Sequence, residues 1–140
     1  MKLSIFILLL FSFGCSSSQH NSSDIKIKLS DNHRSLQFNG LDKLIINEIS
    51  RDSDNAVWQS LVAVYAMPAD TDLKNYQPVQ PGKYAVQDST VIFTPDTPFV
   101  KGKTYFVRKY RLGKGISLAE YIKGQARVGN VQFIDLIFKP

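Results

Sequence analysis

The chain has one cysteine, Cys15, and two histidines, His20 and His33. A lone cysteine excludes an intramolecular disulfide, so the core must hold by packing without a covalent staple. His20 lies in a serine-rich stretch and His33 beside a turn. The chain therefore offers no histidine pair for a metal site or for a general base with an orienting partner, and both side chains read as solvated. No serine stands in a G-x-S-x-G elbow. Gly113-Lys114-Gly115 lacks the Walker spacing and reads as a turn. Asp52, Asp54 and Asn55, with Asp70 and Asp72, lack the glycine and terminal glutamate of an EF-hand loop and read as turn formers. No internal repeat is present, which excludes a solenoid. These absences argue against an enzyme: no catalytic residue, metal or cofactor is expected.

Long apolar runs are also missing. Leu3 to Phe13 is too short for the ~20 residues that span a bilayer. With Lys2 before it and the small Gly14 after it, it reads as a signal peptide over residues 1–14. Ser12-Phe13-Gly14-Cys15 resembles the lipobox of bacterial lipoproteins, in which cleavage precedes the cysteine and its thiol carries diacylglycerol. The resemblance implies lipid attachment at Cys15, a membrane contact through an acyl anchor, and a place in the bacterial cell envelope, at the outer membrane. Each buried CH₂ of an acyl chain contributes about 0.8 kcal/mol, so several chains hold firmly. Ser16 to Ser23 is small, polar and aperiodic, making 15–23 a lipid-anchored linker. Residues 24–140 then form one domain, large enough to bury about two thirds of its unfolded surface.

Turn signals recur at short intervals: Asn39-Gly40, Pro81-Gly82, Pro95 to Pro98 and Gly129-Asn130 among them. Between them lie segments rich in Val, Ile, Leu, Phe and Tyr, which predict strands over 25–29, 35–38, 43–50, 57–67, 83–86, 90–94, 104–112 and 131–139. In the first, Lys26 and Lys28 alternate with Ile25, Ile27 and Leu29, a half-buried strand. The stretch 57–67 is apolar on both faces and reads as a central strand; its length also suits a helix, but Val57, Val62, Val64 and Tyr65 favour strand. Trp58 within it reads as a packing residue. In the last strand Ile134, Leu136 and Phe138 form one face, and Phe133, Asp135 and Ile137 a mixed face open to partial cover or a partner. Ser117 with Glu120, Ile116 with Tyr121, and Gly124 have the spacing of a capping box, a staple and a stop, predicting a short helix over 116–124.

The run Val91 to Tyr105, VIFTPDTPFVKGKTY, reads as a strand, a proline-marked corner and the start of the next strand. Phe99, Gly102 and Tyr105 have the spacing of the tyrosine corner of fibronectin type III and bacterial immunoglobulin-like domains, which the chain resembles over about residues 88–110. Lysine stands at 101 and 103, where those modules carry proline and threonine. The resemblance implies a single immunoglobulin-like antiparallel β-sandwich; with the strands and the helix read above, the expectation is an all-β domain of six to eight strands with one short helix before the last strand. It brings no active site. A single module behind a lipobox resembles small Gram-negative envelope lipoproteins that bind or scaffold partners.

Charge is uneven. Residues 15–96 hold seven basic and ten acidic side chains, whereas 97–140 hold nine basic and two acidic. Lys101, Lys103, Arg108, Lys109, Arg111 and Lys114 interleave with Tyr105, Phe106 and Tyr110. Alternation puts Phe106, Arg108 and Tyr110 on one face and Tyr105, Val107 and Lys109 on the other. Such a segment is either a binding surface for anionic polymer, lipid headgroup or acidic protein, or a solvated strand whose lysines discourage edge pairing. Nucleic acid is not expected for an exported chain. The expected function is a lipid-anchored, non-enzymatic binding or scaffolding module for an envelope protein partner, with the loop Gly113 to Asn130 at the contact. The alternative is an electrostatic binder of lipopolysaccharide, glycan or lipid headgroups.

Overall fold

The computed structural model describes residues 25–51, 54–111 and 132–140. The expected signal peptide, Cys15, the linker, the helix over 116–124, Lys114 and the loop 113–130 lie outside the described residues. Seven strands are found among the described residues: β1 (Lys26–Leu29), β2 (Leu36–Asn39), β3 (Val62–Ala66), β4 (Gly82–Gln87), β5 (Thr90–Pro95), β6 (Tyr105–Arg111) and β7 (Gln132–Phe138). They form two antiparallel sheets, ordered β1-β2-β5-β4 and β3-β6-β7, which pack as a sandwich.

Alternation explains the faces. From the first sheet Leu36, Phe38, Val91 and Phe93 point inward, and from the second Val62, Val64 and Val107. Lys26 and Lys28 stay exposed on the outer side of β1. β3 is buried on both faces, because Ala63 and Tyr65 join a second cluster with Phe106 on the far side of its sheet. Gly82 opens β4 where it crosses β5 closely: a Cβ there would lie 2.5 Å from the Thr94 carbonyl oxygen and 2.6 Å from the Phe93 ring.

Two helices stand where strands are predicted. Residues 43–50 form α1 (Lys43–Ile49), and 57–67 divides into α2 (Asn55–Leu61) followed by β3. The cause is shared. The carboxylate of Asp42 accepts from the Leu44 N–H at 2.8 Å, and that of Asp54 accepts from the Ala56 N–H at 2.8 Å. Each N-cap satisfies a backbone donor that the first turn would otherwise leave open. After Asp42, apolar residues follow at the third, fourth and seventh positions (Ile45, Ile46, Ile49); after Asp54 they follow at the same spacing (Val57, Trp58, Leu61). That spacing is one helical face, and Ile46, Ile49, Val57, Trp58 and Leu61 all enter the core. β-branched composition favours strand, but it is outweighed where a cap and a buried helical face coincide. α2 touches β4 of one sheet and β3 and β6 of the other, closing that flank of the sandwich. Trp58 is buried there, stacked at 6.3 Å on Tyr84.

Asp88 and Ser89 connect β4 to β5 with φ of 48° and 66°. Two consecutive residues in left-handed backbone are what a two-residue type I′ hairpin turn requires. Ser89→Gly relieves the ~1–2 kcal/mol an L-residue spends there against the ~0.5–1 kcal/mol of chain entropy that glycine loses on folding. A net gain of about 0.5–1 kcal/mol is expected, seen as a higher urea midpoint at unchanged slope. An unchanged or lowered midpoint would contradict this turn geometry.

Candidate functional site

The outer face of the β3-β6-β7 sheet gathers the densest chemistry among the described residues. Register sets it: Arg108 lies between Ala63 and Asp135, Phe106 between Tyr65 and Ile137, and Tyr110 opposite Phe133. Arg108 is 7% exposed. Its Nε donates to Asp135 Oδ1 at 2.8 Å and its Nη2 to Oδ2 at 2.9 Å, a bidentate pair. The same Nη2 donates to Asn75 Oδ1 at 2.9 Å, and Lys74 Nζ lies 2.7 Å from Asp135 Oδ2. The guanidinium sits 3.9 Å from the Phe133 ring centroid, within cation–π range.

Lys74 and Asn75 come from a 3₁₀ helix, Thr71–Tyr76, capped by Asp70, whose carboxylate accepts from the Asp72 N–H at 3.0 Å. The segment carrying it folds over the β3 side of the sheet. Gln80 N–H donates to the Val64 carbonyl at 2.7 Å, and Val79 bridges Tyr65. Met67 and Val79 pack on Ala63, Tyr65 and Phe106. The β7 side stays open, with Phe133 44% and Ile137 61% exposed. On the covering helix Leu73 and Tyr76 are exposed as well.

Burial alone would push the Asp135 carboxyl upward, but hydrogen bonds from Arg108 and Lys74 outweigh it and hold the group below the usual carboxylate range. The hydrogen bond to Asp135 likewise raises Arg108. Burial, with the hydrogen bond to Tyr110, pushes the Tyr65 phenol above its ordinary value. Tyr65 and Tyr110 hydroxyls lie 3.3 Å apart. Asp135 is thus held as a carboxylate with both oxygens engaged, in an aromatic setting and flanked by exposed apolar side chains.

Of the six basic residues singled out in the sequence, the five that lie among the described residues are divided between different faces of the sheet and the turn before it. Arg108 is the correction: it faces away from Lys109, is buried, and its charge is compensated by Asp135, because a buried guanidinium demands a paired acceptor. Lys109 is half-buried on the side of Tyr105 and Val107, Arg111 is exposed opposite Gln132, and Lys101 and Lys103 are exposed in the turn before β6. At the corner, the Val100 N–H donates to Tyr105 Oη at 3.0 Å, and the Tyr105 ring meets Phe99 edge-on at 5.0 Å and stacks on Phe138 at 5.5 Å. Gly102 has φ of 80°, and its N–H donates to the Pro140 carbonyl at 3.4 Å.

Lys74 and Asn75 were not legible as site residues, since nothing local marks a 3₁₀ turn as the cover of a distant sheet face. Asp135 carried a signal: an acid in the middle of an apolar strand requires a cation opposite it. On the outer face of the other sheet, a recess of about 230 Å³ is lined by Gln37, Gln87, Asp88, Thr90 and Ile92. Among the described residues no cluster of His, Cys, Asp or Glu is placed to hold a metal ion, and no helix is long and apolar enough to cross a membrane.

The described residues thus define an antiparallel β-sandwich with two helices inserted between β2 and β3 and a clamped charge network on one outer face. Compared with protein-family models, curated proteins and solved structures, the chain matches none.

Proposed function

We propose that this is a lipid-anchored protein of the bacterial cell envelope, on the outer membrane. In this reading its immunoglobulin-like sandwich binds a protein partner through the open half of the β3-β6-β7 outer face. The fold part is supported by strand order: β1-β2-β5-β4 opposite β3-β6-β7 follows the A-B-E-D and C-F-G order of constant-type immunoglobulin domains. The hydrogen bond between Val100 and Tyr105 stands where such domains carry their tyrosine corner. The anchor is supported by Ser12-Phe13-Gly14-Cys15.

One observation carries the binding reading. Phe133 and Ile137 are exposed on β7 on either side of Asp135, whose charge is already satisfied from within. Interface cores combine aromatic and apolar anchors with compensated charge, and they tolerate no unpaired ion. The anionic-polymer alternative loses its central cation, Arg108, to Asp135.

Crosslinking in intact membranes tests the proposal. The double variant Phe133→Ser/Ile137→Ser should keep its circular dichroism spectrum while a reproducible crosslinked partner band disappears. Cys15→Ala should leave uncleaved precursor without acyl label. Undiminished crosslinking in the double variant would overturn the binding face, and labelling that persists without Cys15 would overturn the anchor.

A further inference from the structure

We infer that the partner engages this face through an extended acidic segment that joins the sheet as a fourth strand alongside β7; the inference rests on the binding reading above. β7 ends the order β3-β6-β7, and among the described residues it pairs with β6 alone. Alternate backbone N–H and C=O groups of 132–138 therefore face away from the sheet. The opposite edge differs: β3 is closed by Gln80 and Val79.

Among the described residues β7 also lacks the usual devices that protect an edge. Its sequence, QFIDLIF, contains no proline or lysine, and it keeps unbroken register with β6 from Gln132 to Phe138. Its one charge is neutralised by Arg108 and Lys74, so it repels no incoming strand. An added strand gains main-chain hydrogen bonds for affinity and alternate side-chain contacts for specificity. Here the contacts are Phe133 and Ile137, four residues apart on one face, so the incoming segment carries apolar side chains at matching spacing.

Charge selects the sign of the partner. Arg111 is exposed opposite Gln132 at one end of β7. At the other end Lys139 is exposed, and Lys101 and Lys103 flank Gly102, which is bonded to Pro140. Both ends are cationic, and the carboxylate between them is spent. A second copy of this chain would bring the same cations against these, so self-association through β7 is opposed, whereas a segment with acidic ends is attracted.

The test uses the folded chain and a short synthetic peptide of alternating valine and threonine with Asp-Glu at both ends, against the same peptide with Lys-Lys ends. Binding is followed by calorimetry and by amide hydrogen exchange of β7. The acidic peptide should bind, slow exchange of the outward amides of 132–138, and bind at least about tenfold more weakly after Phe133→Ser or Ile137→Ser. Added salt should weaken it further. Equal binding of the lysine-ended peptide, unaltered β7 exchange, or edge amides already protected in the free chain would each overturn strand addition. If the peptide fails while Phe133→Ser/Ile137→Ser still abolishes membrane crosslinking, strand addition falls and the binding face stands. If both fail, the binding reading falls with it.

Discussion

Tyr84→Ala is expected to cost about 3–4 kcal/mol of folding stability, a large part of the ~5–15 kcal/mol that a domain of this size possesses. Tyr84 sits on β4, where three parts of the fold meet. Its ring lies 4.9 Å from Phe93 and 6.5 Å from Phe38 in its own sheet, and 6.3 Å from Trp58 of α2. Its hydroxyl donates to the Val62 carbonyl of the opposite sheet at 2.6 Å, and its N–H donates to Asn55 Oδ1 at 3.0 Å. Truncation removes the ring contacts and leaves the Val62 carbonyl without this donor. Tyr84→Phe keeps the packing and loses only that hydrogen bond, so about 1 kcal/mol is expected. Urea denaturation of both variants separates the two contributions; a loss below about 1 kcal/mol for Tyr84→Ala would refute the role of the ring as a link.

Burial also pushes the Tyr84 phenol above its ordinary value, with a smaller push from Tyr65. A folded pKa above the unfolded ~10 means that the contribution is complete below that pH and declines as pH rises beyond it. Tyr84→Phe should therefore flatten part of the alkaline fall in stability.

Asp135→Ala is expected to cost about 3 kcal/mol, because it leaves the buried Arg108 guanidinium with Asn75 and aromatic rings but no carboxylate. Replacing both partners, as Arg108→Met/Asp135→Leu, should recover most of that loss, since it removes the ions together with the need to pair them. The pH signature follows from the depressed Asp135 pKa. A folded pKa below the unfolded ~3.9 contributes stability that is present above that value and is lost as pH falls through the folded pKa. Wild type should therefore lose more stability than the double variant between about pH 5 and pH 2. Identical acid profiles, or a single variant as stable as wild type, would show that the clamp contributes nothing.

Much of the sandwich was legible from local pattern. Lysines alternating with Ile25, Ile27 and Leu29, and the face of Ile134, Leu136 and Phe138 in the last strand, are period-two signals that need no knowledge of the rest of the chain. The helices at 43–49 and 55–61 were also legible in principle, and 62–66 is strand as expected. Asp42 and Asp54 each precede apolar residues at the third, fourth and seventh positions, and a cap joined to a helical stripe is stronger information than β-branched composition. The candidate site was half legible: Phe133, Asp135 and Ile137 stood out as a mixed face, whereas Lys74 did not.

By itself the sequence determined the period-two strands, the corner around Tyr105, and the excess of basic side chains after residue 96, because each depends on neighbours close along the chain. Tertiary structure alone decided which of those charges are spent. Arg108 looked like the centre of a basic stretch until strand register brought Asp135 beside it and the 3₁₀ helix brought Lys74 and Asn75 over it. The physical reason is that a charge acts through its surroundings in space. Pairing and burial turned the most central cation into a structural clamp, and the exposed ones after residue 96, among the described residues, lie at the two ends of β7.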